Sequence, residues 1–210
     1  MDDITICNLA LSRIGAHSIQ ALSELSKEAT ECNLLYEPTR DAVLEDHAWS
    51  FATVPGEVLA LLSETHTGWN YSYQWPTGCL KPLLILDATG TNTGTSYDID
   101  NDRYIPVGKV EFEVSLNAAK NGKIILSNKE DAELKYVSRV TDPNLFDSVF
   151  VKALSYALAS ELAQSVRGDS KMKQALRQEY LFFIEGAKAN NANANVNNIN
   201  EVNTFLNARN

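Results

Sequence analysis

Residues 122–163 read GKIILSNKEDAELKYVSRVTDPNLFDSVFVKALSYALASELA, and the fold turns on where this stretch changes character. Up to Val140 it carries short runs of β-branched and aromatic residues, KIILS and ELKYVS, which is strand chemistry. Asn121-Gly122 at its head is a hairpin signal. At Asp142-Pro143 the pattern switches: an acid able to cap a helix precedes a proline at the first helical position. Beyond it Leu145, Phe146, Val149, Phe150, Ala153, Leu154, Ala157, Leu158 and Leu162 form one broad apolar helix face, ending near Gly168.

Upstream, from about Gly68, the same strand texture holds: YSYQW, LLILDA, SYDIDNDRYIPV and KVEFEVS are parted by Pro76-Thr77-Gly78 and by Thr89 to Asn92. The middle third is therefore expected to be a small antiparallel β-region over 68–140, with 89–96 a mobile loop. Further back the period is helical again. Ile4, Cys7, Leu11 and Ile14 predict a short helix capped by Asp2 or Asp3 and stopped by Gly15. Ser26 caps a second helix through KEATECNLLYEPTRDAVLEDHAW, with apolar positions Ala29, Cys32, Leu35, Tyr36, Val43 and Leu44. Pro38 predicts a kink or a break inside it. Downstream, Met172, Leu176, Tyr180, Phe183 and Ile184 predict a last helix over 170–188.

The expected class is α+β: about four helices in an antiparallel bundle from 1–67 and 141–189, a β-insertion at 68–140, and an extended C-terminal arm at 190–210. The arm, NNANANVNNINEVNTFLNARN, cannot bury enough apolar surface to fold alone. Its Val196, Ile199, Val202, Phe205 and Leu206 nevertheless recur at short steps. It reads either as a disordered tail or as an arm docking on a partner through Ile199, Val202, Phe205 and Leu206.

Length and composition narrow the function classes. A chain of 210 residues holds one good-sized core or two small ones. No apolar run approaches the roughly 20 residues needed to span a bilayer. No basic segment precedes the first apolar residues, so a leader peptide and a membrane are not expected, and synthesis in a cytoplasm is. Cys7, Cys32 and Cys79 are odd in number and widely spaced, against a disulfide framework or zinc knuckle; Cys7 and Cys32 fit as small buried hydrophobes. The net charge of −9 shows no basic stripe for gripping phosphates, but suits the wall of a channel through which DNA slides.

The densest chemistry is RDAVLEDHAWSFA, residues 40–52, with Glu45, Asp46, His47 and Trp49. Asp46 and His47 are adjacent, so on a helix they point about 100° apart and cannot chelate one ion. A helix-ending role for His47, at the negative end of the dipole, fits better. His17 and His66 fall in predicted loops. No nucleophile elbow, zinc-protease motif, phosphate loop or dinucleotide fingerprint is present. Asp98, Asp100 and Asp102 alternate but lack the glycine and distal glutamate of a calcium loop. Trp69, Tyr71, Tyr73 and Trp75 alternate too, which predicts a half-buried strand face at an interface. Acids such as Glu45, Asp98 and Asp102 near aromatics leave a peptidoglycan or glycan hydrolase as the rival class.

Residues 6–52, ICNLALSRIGAHSIQALSELSKEATECNLLYEPTRDAVLEDHAWSFA, resemble the N-terminal signature of the tail tubular protein A family, the head-to-tail adaptors of short-tailed phages. The 122–163 stretch resembles that family's second signature, strand, turn and strand running into the long helix. The resemblance implies a virion protein: a ring of identical subunits, twelve by family pattern, between the portal protein and the tail nozzle protein. Genomic DNA would pass through the ring without specific binding. It implies a helical bundle with a β-insertion, no catalytic residue, no metal and no cofactor. It makes Trp49 and Phe51 structural anchors at the exit of the second helix. Pro38 and the asparagine-rich end depart from the family pattern.

Overall fold

The computed structural model describes residues 1–86, 94–98, 103–107 and 110–196, with side chains described over 1–86 and 110–188. The fold is mixed α+β and divides into two compact units. One is Met1–His47 together with the chain from Asp142; the other is Ala48–Thr141.

In the first unit each helix end is set by a local side chain. Helix α1 is Asp3–Arg13; the Asp2 carboxylate accepts from the Thr5 amide at 2.8 Å. Gly15 adopts φ +64°, where an L side chain is strained, and the Ala16 amide closes the helix on the Leu11 carbonyl. Helix α2 is Lys27–Asp46, capped by Ser26 through the Ala29 amide at 3.2 Å, with His47 as C-cap. It runs unbroken through Pro38, so of the expected kink or break the break does not occur. Ala29, Cys32 and Tyr36 before the proline and Val43 and Leu44 after it are buried on the same unit. Burial of that many side chains, at about 1.5–3 kcal/mol each for the large ones, outweighs the roughly 3 kcal/mol that an internal proline costs.

The return to helix comes later than Asp142-Pro143. Asp142 caps only a 3-10 turn, Pro143–Leu145, accepting from the Asn144 amide. Asp147 is the cap of α3, Ser148–Arg167, accepting from Phe150 N at 2.8 Å. Leu145 and Val149, placed on the apolar face by spacing, are exposed, while Phe150 is fully buried with the Phe146 ring at 4.7 Å. Eleven α3 residues are buried, and α3 touches α1, α2 and α4. Gly168, at φ +68°, ends it as the sequence indicates, and Asp169 caps α4 through the Lys171 and Met172 amides.

Helix α4 is Ser170–Val196, well beyond 188. Leu176, Tyr180, Ile184 and Ala187 anchor it at three- and four-residue steps. Once a helix is anchored, each added residue gains a backbone bond without a new nucleus, and the alanines among the asparagines sustain it. Ile199, Val202, Phe205 and Leu206 lie outside the described residues.

The described residues of the second unit hold nine strands: β1 Thr53–Val58, β2 Leu61–Leu62, β3 Tyr71–Gln74, β4 Cys79–Leu86, β5 Gly94–Asp98, β6 Arg103–Val107, β7 Phe112–Leu116, β8 Lys123–Ser127 and β9 Glu133–Ser138. All pairings among them are antiparallel, in sheets ordered β1-β9-β4 and β2-β3-β8-β7 with a separate β5-β6 ribbon. Strand structure thus starts before Gly68. The first strand, TVPGEV, contains Pro55 and Gly56, residue types that weaken a strand interior; they are tolerated because β1 is an edge strand with an irregular register between Val54 and Glu57. At Gly56 an added Cβ would meet the Glu133 carboxylate and lie 2.9 Å from Leu86 Cδ1, so the ends of those two side chains would have to shift to admit one.

The β7–β8 hairpin forms as the Asn121-Gly122 signal indicates, but on a six-residue loop rather than a two-residue turn. Asn117 Oδ1 accepts from the Asn121 and Gly122 amides, and Lys120 takes the left-handed position at φ +56°. Leu59, Tyr73, Ile85, Ile125, Leu134 and Tyr136 form the unit's core, with Tyr71 and Trp75 packed against it. Those aromatics face their own core. Of the expected loop at 89–96, residues 94–96 belong to β5 and the rest lie outside the described residues.

Candidate functional site

A groove of about 450 Å³ lies in the helical unit, between α2 and α4 with α3 as its floor. Its α2 wall is Leu35, Pro38, Thr39, Ala42, Val43 and Asp46, residues that helical steps of three and four bring to one face. Ala157, Ser160 and Glu161 of α3 form the floor, and Arg177 and Tyr180 of α4 the opposite wall. Leu35 is half-buried, Pro38 and Ala42 are exposed, and Leu34 beside them is 66% exposed. This is an apolar stripe that the described residues of the unit leave half-buried to exposed. Its polar rim is structured: Tyr180 donates its hydroxyl to Asp46 Oδ2, and Lys173 pairs with Glu161 at 2.7 Å. A volume of this size falls within the range of ligand and peptide pockets, roughly 300–1,000 Å³.

The tyrosine–carboxylate pairing recurs. Tyr36 of α2 donates to Asp3 of α1 at 2.7 Å, and Tyr136 of β9 donates to Glu57 of β1. Burial first, then the carboxylate that accepts each hydroxyl, holds Tyr36, Tyr136 and Tyr180 well above the ordinary phenol range. These groups are therefore neutral fasteners between elements, unsuited to proton transfer near neutral pH. The Cys32 thiol beside Cys7, and then burial, raise Cys7 above the ordinary thiol range. Both are fully buried, in keeping with their reading as small core residues.

A second surface of the same unit joins cations to rings. The Arg13 guanidinium lies 3.8 Å over the Tyr156 ring, Tyr156 stacks on Phe183 at 5.1 Å, and Lys152 sits 4.6 Å from Phe183. Arg13 also donates to the buried Ser155 hydroxyl at 2.9 Å. Phe182, edge-on to Phe183, is 68% exposed.

The residues singled out from sequence are dispersed. Glu45 is exposed in the last turn of α2, and His47 ends that helix. Burial first and the Lys188 charge second lower the His47 imidazole, with Asp147 opposing them. Trp49 is buried and Phe51 half-buried, their ring centroids 6.3 Å apart beside the 3-10 turn Ser50–Ala52. His66, in the loop between β2 and β3, lies 3.4 Å from Glu64. Asp98 ends β5, while Asp100 and Asp102 lie outside the described residues. Among the described residues no three His, Cys, Asp or Glu groups converge as a metal site, and no helix is long and apolar enough to cross a membrane.

The groove was not visible in the sequence as a site. Its signal was present only as Leu35, Pro38 and Ala42 at helical spacing, where the proline suggested a broken helix instead of a wall. The sequence matches no protein-family model, and no curated protein matches it.

Proposed function

We propose that the protein is a structural head-to-tail adaptor of a phage virion: copies form a ring, twelve by the family pattern, between portal and tail nozzle around the DNA exit channel. It acts by binding, with no chemistry of its own. The observation that supports this reading is the order of the chain. Helices α1 and α2 precede the strands β1–β9, α3 and α4 follow them, and α3 touches α1, α2 and α4. A helical bundle interrupted by a β-insertion is what the resemblance of residues 6–52 and 122–163 implies.

The acidic composition supports it further. A channel wall with a net negative balance, 27 acids against 18 bases, does not hold passing phosphates. Trp49 and Phe51 serve as anchors where the chain leaves α2, and Ile199, Val202, Phe205 and Leu206 as the docking residues of the arm, on the portal or on a neighbouring subunit of the ring that caps it. A single arm binds weakly; a ring presents many arms, and their contacts combine by avidity. Ending the chain at Val196 tests this. Every core residue named above lies before that point, so the melting temperature stays within about 2 °C while attachment to the portal is lost. Truncated protein that still caps portals at full occupancy would move the docking surface elsewhere.

A further inference from the structure

We infer that the groove between α2 and α4 is the receptor for residues 197–210 of a second copy of this chain. The inference deepens the adaptor reading and rests on it for the presence of neighbouring copies. Two properties of the groove select such an occupant. The first is its apolar wall, Leu35, Pro38 and Ala42, which the described residues leave half-buried to exposed over the small Ala157 of the floor. A volume of about 450 Å³ accepts two or three medium to large side chains and excludes a full domain. Val202, Phe205 and Leu206 supply that number, at spacings that place them on one face of a helical segment.

The second property is the proline. Pro38 has no backbone N–H, so it cannot donate to the Leu34 carbonyl four residues earlier, next to the α2 wall. An occupant that brings side-chain amides satisfies such an acceptor, and 197–210 is rich in them, with Asn203 and Asn207 flanking the apolar cluster. Arg177 on the facing wall complements Glu201, the one acid of the segment.

Geometry assigns the segment to another copy. From Tyr180, at the groove, α4 runs on to Val196, about 24 Å further at 1.5 Å per residue. Fully extended chain from Val196 to Val202 covers only about 21 Å. Val202 therefore falls short of its own groove, and a helical segment falls shorter still, so the three side chains that seat together do not all enter the groove of their own chain. A neighbour's arm has no such limit.

The test holds a fluorescent peptide of residues 197–210 at micromolar concentration, titrates the 210-residue chain into it up to about 2 mM, and follows anisotropy. Expected is saturable binding at about 1 mM or tighter. It weakens at least tenfold when Ala42→Trp fills the groove, and equally when the peptide carries Phe205→Ser. Ala42 is exposed, so the substitution leaves the helix packed; circular dichroism of the variant verifies this. No binding, or binding unchanged by Ala42→Trp, overturns the assignment. The chain ending at Val196 should bind the peptide as well as the full-length chain does. Binding more than tenfold tighter to the truncated chain would mean that the arm fills its own groove, which also overturns it. No portal is present in this assay, so its failure leaves the adaptor reading standing, and failure to cap portals leaves the groove assignment standing.

Discussion

The Tyr180 hydroxyl of α4 donates to Oδ2 of Asp46 in the last turn of α2, tying two groove walls together across a long span of sequence. Tyr180 is buried, so removing its hydroxyl forfeits a hydrogen bond to a charged acceptor without opening a cavity. Tyr180→Phe should lower unfolding stability by about 1–2 kcal/mol, less than the 3 kcal/mol upper range because Asp46 itself is solvated. Urea denaturation with an unchanged m-value checks this; an equally stable variant would show that the pair is incidental.

Alkaline pH should act on all three such pairs. Tyr36, Tyr136 and Tyr180 have folded-state pKa values raised above the unfolded value of about 10. The stability they contribute is therefore fully present below pH 10. It is lost as pH rises past that point, because the unfolded chain releases protons that the folded chain retains. Each such tyrosine steepens the fall by up to about 1.4 kcal/mol per pH unit. Stability measured from pH 8 to 11.5 should be flat and then drop, and Tyr180→Phe should make the drop shallower. A profile level to pH 11.5 would contradict it.

Asp142 and Asp147 should differ as caps. Asp147→Ala removes the acceptor at the start of α3, the helix that touches the three others, and should cost about 1 kcal/mol. Asp142→Ala touches only a 3-10 turn and should cost less than about 0.5 kcal/mol. Thermal melts of the two variants decide between them, and the reverse order would place the functional cap at Asp142.

These caps show what the sequence made legible. Asp2, Ser26, Gly15 and Gly168 act within a few residues, so their chemistry is readable without knowing the fold. The misreadings arose where distant packing decides. Pro38 stays helical because residues on both sides of it are buried, and strand structure begins at Thr53 and not at Gly68, through Pro55 and Gly56, because that strand is an edge. The extension of α4 to Val196 depends on anchors at Leu176 to Ala187. The aromatic row of β3 alternates as expected, but spacing alone does not say whether its buried face meets a partner or, as found, its own core. The groove was the least legible feature, since its walls come from three helices whose contacts no local pattern specifies.

The central claim is that this chain is a ring-forming adaptor, and electron microscopy of the purified protein with and without its portal tests it most directly. Alone, the chain should be monomeric: no heptad seam is present, and a single groove–arm contact is too weak to close a ring. With portal added, a ring of copies should cap one face of the portal around an open channel. Portals that remain bare at saturating protein, accompanied by glycan hydrolysis that one carboxylate-to-amide change abolishes, would contradict the account and establish the hydrolase in its place.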